Sequence, residues 1–245
     1  HGWRFAYLSF SVLCLITMIP LALTLGRRPP DHDAANTATV TSRSLASLGL
    51  SPNALQALLV LAGLSCCVAM SMPQVHIVAY CADLGYGVAR GAEMLSLMLG
   101  FGIVSRIASG WLADRVGGAM TLLIGSTLQC LALVFYLISD SLVSLYISSA
   151  LFGLFQGGIV PSYAIIIREY FPAREAASRV GLTVSSTIVG MALGGWMGGV
   201  LFDMTGSYRA AFINGIAWNV LNAAIAWWLL SRQMRQPRRS GAAAA

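Results

Sequence analysis

The chain has 245 residues, of which 57% are hydrophobic and only 10% charged. A water-soluble domain carries about 25% charged residues to cover its surface, so a soluble globular fold is excluded and lipid is the expected solvent. The net charge is +6 and all 15 basic residues are Arg. They sit between apolar runs, as topology determinants do, which argues against nucleic acid as a partner.

Seven apolar segments follow one another, at about 4–25, 54–81, 92–113, 119–139, 142–167, 177–202 and 209–230. Each is long enough to cross roughly 30 Å of hydrocarbon at a rise of about 1.5 Å per residue. Only helices and closed barrels pair all their backbone groups in lipid, and these runs are too long for barrel strands. The expected fold is an all-α membrane protein of about seven transmembrane helices.

The first segment ends in Gly26-Arg27-Arg28-Pro29-Pro30, which is not a small-residue cleavage site, so it does not read as a signal peptide. The chain opens on His1, and an upstream part is expected. Residues 27–53 form the one long loop, polar and rich in Ser, Thr, Asp and Arg. Its end, Ser51-Pro52, reads as an N-cap followed by proline at the first helical position.

The second segment carries His76, with Tyr80 one turn on and Asp83 two turns on, on one helical face. Histidine titrates near neutral pH, so His76 is a candidate proton carrier. The plainer alternative is a hydrogen-bonded packing histidine. The five cysteines, Cys14, Cys66, Cys67, Cys81 and Cys130, all lie in apolar runs, without metal or redox spacing, and read as small packing residues.

The third segment holds the chain's least lipid-compatible residue, Arg106. An Arg at depth costs on the order of 2.5–3.5 kcal/mol on insertion scales, so it is expected to face a watery cavity or an anion. A structural carboxylate partner or snorkelling would also accommodate it. No span has an Asp or Glu at mid-depth, so such a carboxylate must come from another part of the protein, or the partner is the substrate. The segment ends in Gly110-Trp111-Leu112-Ala113-Asp114-Arg115-Val116-Gly117-Gly118, where the glycines suit a tight turn. Asp114 can pair with Arg115 or with a neighbouring helix, which makes Gly110, Asp114, Arg115 and Gly117 a candidate gating motif.

In the fifth segment Gln156 and Tyr163 stand seven residues apart, two turns on one face, around Gly157-Gly158. Both are candidates to line a cavity and hydrogen-bond a carboxylate. The run Arg168 to Glu175 reads as a solvated face, or as a gate network with Asp114. Gly190, Gly194, Gly195, Gly198 and Gly199 in the sixth segment predict close helix packing, and Asn214, Asn219 and Asn222 in the last predict interhelical hydrogen bonds.

Eleven loop arginines fall on one side of the bundle; Arg4, Arg90 and Arg209 fall on the other. The positive-inside rule then puts the C-terminus in the cytoplasm and His1 outside, in a cell (inner) membrane. Trp3-Arg4-Phe5-Ala6-Tyr7 and Tyr208-Arg209-Ala210-Ala211-Phe212 both place an aromatic–Arg pair at a helix entrance, six helices apart. A duplicated six-helix unit would produce this echo. No nucleotide loop, metal-ligand cluster or nucleophile–base pair is readable, so no cofactor, no metal and no enzymatic activity are expected.

The motif Gly-x-Leu-Ala-Asp-Arg-x-Gly over 110–117 resembles the signature loop of the major facilitator superfamily, except that Gly118-Ala119 replaces its basic end. The resemblance implies two six-helix halves around a central cavity. Residues 1–26 would be the last helix of the N-terminal half, 27–53 the central cytoplasmic loop, 54–231 the C-terminal six-helix half and 232–245 a cytoplasmic tail. The N-terminal half would then be a missing partner. Residues 74–85 and the run Gly100 to Gly110 resemble the monocarboxylate-transporter-like branch, in which an Arg of the eighth helix binds the substrate carboxylate; Arg106 holds that position. Animal members carry an Asp one turn earlier, where this chain has Gly102, so an Asp–Arg proton relay does not carry over.

The resemblance implies secondary active transport of a small organic anion, a monocarboxylate, coupled to a proton and working by alternating access. Arg106, Tyr163, Tyr80 and Gln156 are the substrate-binding candidates. A drug or metabolite efflux transporter of the same superfamily is the alternative within transport. A non-transporting membrane sensor or an intramembrane enzyme is the alternative of another class.

Overall fold

A computed structural model describes residues 3–25, 48–138 and 140–235. The chain divides into two compact units, His1–Thr37 and Ala38–Ala245. The described part of the first is helix α1, Trp3–Leu25, with Pro20 inside it. Most of the long loop, including Arg27, Arg28 and Arg43, and the tail from residue 236, with Arg238 and Arg239, lie outside the described residues.

The second unit holds α2 (Pro52–Asp83), α3 (Val88–Val116), α4 (Gly118–Ile138), α5 (Leu142–Gln156), α6 (Ile159–Tyr170), α7 (Ala173–Thr205) and α8 (Tyr208–Arg235). Among the described residues, six stretches are long and apolar enough to cross a membrane: α2, α3, α4, α5 with α6, α7 and α8. In α1 the apolar stretch is the shorter Tyr7–Leu23. The chain is therefore an all-α, multi-pass membrane protein, as its composition requires.

The helices extend a few residues beyond the apolar runs, because polar caps and turns complete them. Ser51 caps α2 by accepting the Ala54 N–H at 3.2 Å, with Pro52 in the first turn. Gly117 alone links α3 to α4, at φ 84°. A residue with a Cβ would be strained there, which explains the glycine at the end of the signature motif.

The fifth apolar run is two helices. It breaks at Gly157-Gly158, and Pro161 follows, which cannot donate a backbone hydrogen bond. The seven-residue spacing that would place Gln156 and Tyr163 on one face therefore fails: the two residues belong to different helices and face different neighbours.

Helix α2 is the centre of the unit, packed most extensively against α7 and α8. In its apolar window 72% is buried, against 17% in α3. The α2–α7 contact is built on the expected glycines. A Cβ on Gly194 would lie 2.6 Å from the Val68 carbonyl oxygen, and one on Gly190 2.4 Å from that of Leu64. Side chains there would force the helices apart.

Candidate functional site

Helices α2, α3 and the α5–α6 break line an open cavity of about 280 Å³. Its polar lining is Gln74 from α2, Arg106 from α3 and Gln156 from the end of α5, beside Leu99, Gly102 and Gly157. The wall is held close by glycine. A Cβ on Gly153 would lie 2.2 Å from the Met98 carbonyl oxygen, and one on Gly157 2.5 Å from that of Gly102. The α3 and α5 backbones thus touch directly beside the cavity.

Arg106 is exposed on a helix that leaves most of its surface uncovered. Among the described residues its guanidinium makes no hydrogen bond or ion pair, while its five donors remain obligatory. A charge at this depth is tolerable where it faces water or an anion. Roughly 15 Å separate it from the end of α3 at Val116, from the helical rise.

Gln74 Nε2 donates to Gln156 Oε1 at 3.0 Å, so two carboxamides join α2 to α5 across the cavity wall. Gln156 was expected at the site. Gln74 was not singled out, although an amide directly after Pro73 in an apolar run is a readable signal.

Tyr163 and Tyr80 are not among the residues lining this cavity. Tyr163 is 1% exposed and donates to Asn222 Oδ1 at 2.9 Å; Asn222 Nδ2 donates to Ser126 Oγ at 2.7 Å. Asn219 Nδ2 donates to the Ser126 carbonyl at 2.7 Å. These asparagines join α8 to α4 and α6, as interhelical hydrogen bonds do. Tyr80 packs edge-on against Tyr208 and Phe212, with ring centroids 5.5 Å apart in each pair.

His76 also lies away from the cavity lining. Its Nε2 is 3.1 Å from the Gly195 carbonyl oxygen, and its ring occupies the space a side chain on Gly198 would fill. A protonated Nε2 donates to that carbonyl and ties α2 to α7.

At the far end of α3 the motif residues make contacts that differ from the expected pairing. Among the described residues Asp114 forms no ion pair, and Arg115 stacks over the Trp111 ring at 3.8 Å. Gly110 has open space around it. The turn is held instead by Glu169, whose Oε1 accepts the Gly118 N–H at 3.0 Å. The charged run that begins at the end of α6 thus reaches the motif through a backbone N–H.

Comparison with known proteins agrees with this architecture. The family model described as Major Facilitator Superfamily matches residues 1–139 and again 94–245. Monocarboxylate transporter 13 of Rattus norvegicus is 32% identical over 144 residues, covering 58% of this chain and 34% of the relative. "Probable anion transporter 5" of Arabidopsis thaliana is 27% identical over 137 residues, 54% of this chain and 32% of the relative. The D-galactonate transporter of Escherichia coli is 31% identical over 111 residues, 45% and 24% respectively. The matched part spans about a third of the length of the first two relatives.

Proposed function

The chain belongs to the Major Facilitator Superfamily, is monocarboxylate-transporter-like and is part of a transmembrane transporter rather than an enzyme, and from that premise we propose that it moves a small organic anion by alternating access, with Arg106 holding the substrate's charge. The observation that carries this reading is a cationic side chain at depth, in a cavity, without a protein counter-ion among the described residues. Three relatives are named for a monocarboxylate, an anion and D-galactonate. An anionic group is what those names share, and a guanidinium is the matching donor, bidentate toward a carboxylate.

The substrate class is a monocarboxylate, carried with a proton, by the resemblance to that branch. Residues 54–231 act as a six-helix half, and its partner half supplies the opposite wall of the cavity. The C-terminus is cytoplasmic in a cell (inner) membrane, by the arginine distribution. The Gly110–Gly118 motif, with the α3–α4 turn at Gly117, lies on that side and works as part of the gate. His76 is the titratable candidate for coupling, acting through the α2–α7 contact rather than through the cavity.

The test is uptake of radiolabelled monocarboxylates into proteoliposomes by the full transporter that carries this chain. Arg106→Ala and Arg106→Lys are expected to abolish uptake, because Lys retains the charge but not the bidentate fork. Normal uptake of lactate and pyruvate by both variants removes Arg106 from the site. A proton gradient, inside alkaline, is expected to drive accumulation; accumulation indifferent to it rejects proton coupling.

A further inference from the structure

The cavity offers more than a positive charge. Gln156 is 4% exposed, and its amide is engaged with Gln74 through one hydrogen bond only. Two carboxamides facing each other have two NH2 groups and two carbonyl oxygens between them. One donor and one acceptor meet. Whichever way the amides are turned, one NH2 group and one carbonyl oxygen are left over at the cavity. Among the described residues neither leftover group has a further hydrogen-bond partner.

A third group joins them. Gly157 lines the same cavity. Its carbonyl would normally receive the N–H four residues on, but that residue is Pro161, which has none. Among the described residues no other backbone N–H replaces it. Pro73 precedes Gln74 in the same way, inside α2. Both carboxamides therefore lie close to a proline in the chain, Gln156 at the helix break that precedes Pro161 and Gln74 directly after Pro73 within α2.

The register of α3 and α5 sets where these groups lie relative to Arg106. Gly153 meets Met98 and Gly157 meets Gly102, so the two helices run parallel and Gln156 is level with Phe101. Arg106 is then roughly 7 Å deeper along the axis, at about 1.5 Å per residue. Helical side chains lean toward the N-terminus of their helix, so the Arg106 side chain leans toward the Gln156 level. A single small molecule can span the two.

We propose that Gln74 and Gln156 are the specificity-determining pair of this site: they read a hydroxyl on the carbon chain of the anion whose carboxylate Arg106 holds. A hydroxyl both donates and accepts, so it satisfies the leftover carbonyl and the leftover NH2 together. A purely aliphatic acid displaces water from both groups without replacing its hydrogen bonds, which disfavours it. The pair is neutral, so it selects on hydrogen bonding without adding a second charge requirement. This inference rests on the anion reading of Arg106.

The experiment measures binding by the full transporter in proteoliposomes, using two matched pairs of acids: propionate with lactate, and butyrate with 3-hydroxybutyrate. The native protein is expected to favour at least one hydroxy acid over its deoxy parent, on the order of tenfold. Gln74→Met and Gln156→Met, which keep side-chain volume, are each expected to abolish that preference. Unfolding midpoints in detergent close to that of the native protein report that they are folded. Equal affinity for both members of each pair in the native protein overturns the proposal, as does a preference that survives both Met variants. Binding unchanged by Arg106→Ala, or no binding of any of the four acids, overturns the underlying anion reading and the proposal with it. That failure is recognised because it shows in Arg106→Ala or in the deoxy acids themselves.

Discussion

The carboxylate of Glu169, near the end of α6, accepts the backbone N–H of Gly118, the first residue of α4, at 3.0 Å. The first N–H groups of a helix have no partner within it, and a carboxylate there also meets the positive end of the helix dipole. Glu169 therefore caps α4 from another helix and fastens the α3–α4 turn to α6. Glu169→Ala is expected to lower stability by about 1 kcal/mol, typical of a lost N-cap. Glu169→Gln keeps an acceptor but loses the charge, so its effect is expected to be smaller. Unfolding midpoints of the purified protein in detergent decide this; two variants that both match the native midpoint would disprove the cap.

Glycines at the cavity wall should be far less replaceable than glycines elsewhere on the same helices. Gly153→Ala places a Cβ about where the Met98 carbonyl oxygen stands, 2.2 Å away. Backbone cannot yield as a flexible side chain can, so α3 and α5 must separate, at a cost of about 1–3 kcal/mol. Gly100, on α3, has nothing within 4 Å of its Cβ position. Gly100→Ala is expected to be neutral, or stabilising by up to about 1 kcal/mol through helix propensity. Transport should fall in the first variant and not in the second, and equal uptake by the two would refute direct backbone contact at Gly153.

Tyr163 separates a structural role from a binding role. Its hydroxyl donates to Asn222 Oδ1 inside a network that continues to Ser126. Tyr163→Phe leaves that amide oxygen buried and unpaired, which costs about 1–3 kcal/mol. The expected outcome is a lower unfolding midpoint with an unchanged KM. A raised KM at unchanged stability would return Tyr163 to the substrate.

Much of this was legible before any coordinates, for identifiable reasons. Span number follows from hydrophobic length alone, and Arg106 stands out because ionised groups are so costly in lipid. The α3–α4 turn was legible because Gly117 has a backbone conformation that glycine tolerates best. Tyr163 lies off the lining of the Arg106 cavity because the helix stops at Gly157-Gly158, so helical spacing does not carry from Gln156 to it. Gln74 escaped notice because a lone amide in an apolar run has no periodicity; its importance arises from a partner on another helix, 82 positions away. The expected pairing of Asp114 was replaced by a bond from Glu169 to a backbone N–H, a donor that every residue but proline has and that no motif marks.

The ion pair at the opposite end of the bundle provides the contrasting case. Arg209 Nη2 lies 3.2 Å from Asp140 Oδ2, and both side chains are 60% exposed. Exposed pairs gain little, because water and salt screen them and ordering two side chains opposes them. The more persistent link at this corner is the Tyr86 hydroxyl, which donates to the Asp140 backbone carbonyl at 2.9 Å and does not depend on the Asp side chain. Asp140→Asn should therefore change stability by less than about 1 kcal/mol. Uptake should be the same at low and at physiological salt. A loss of uptake in the folded Asp140→Asn protein would show instead that this rim charge takes part in the transport cycle.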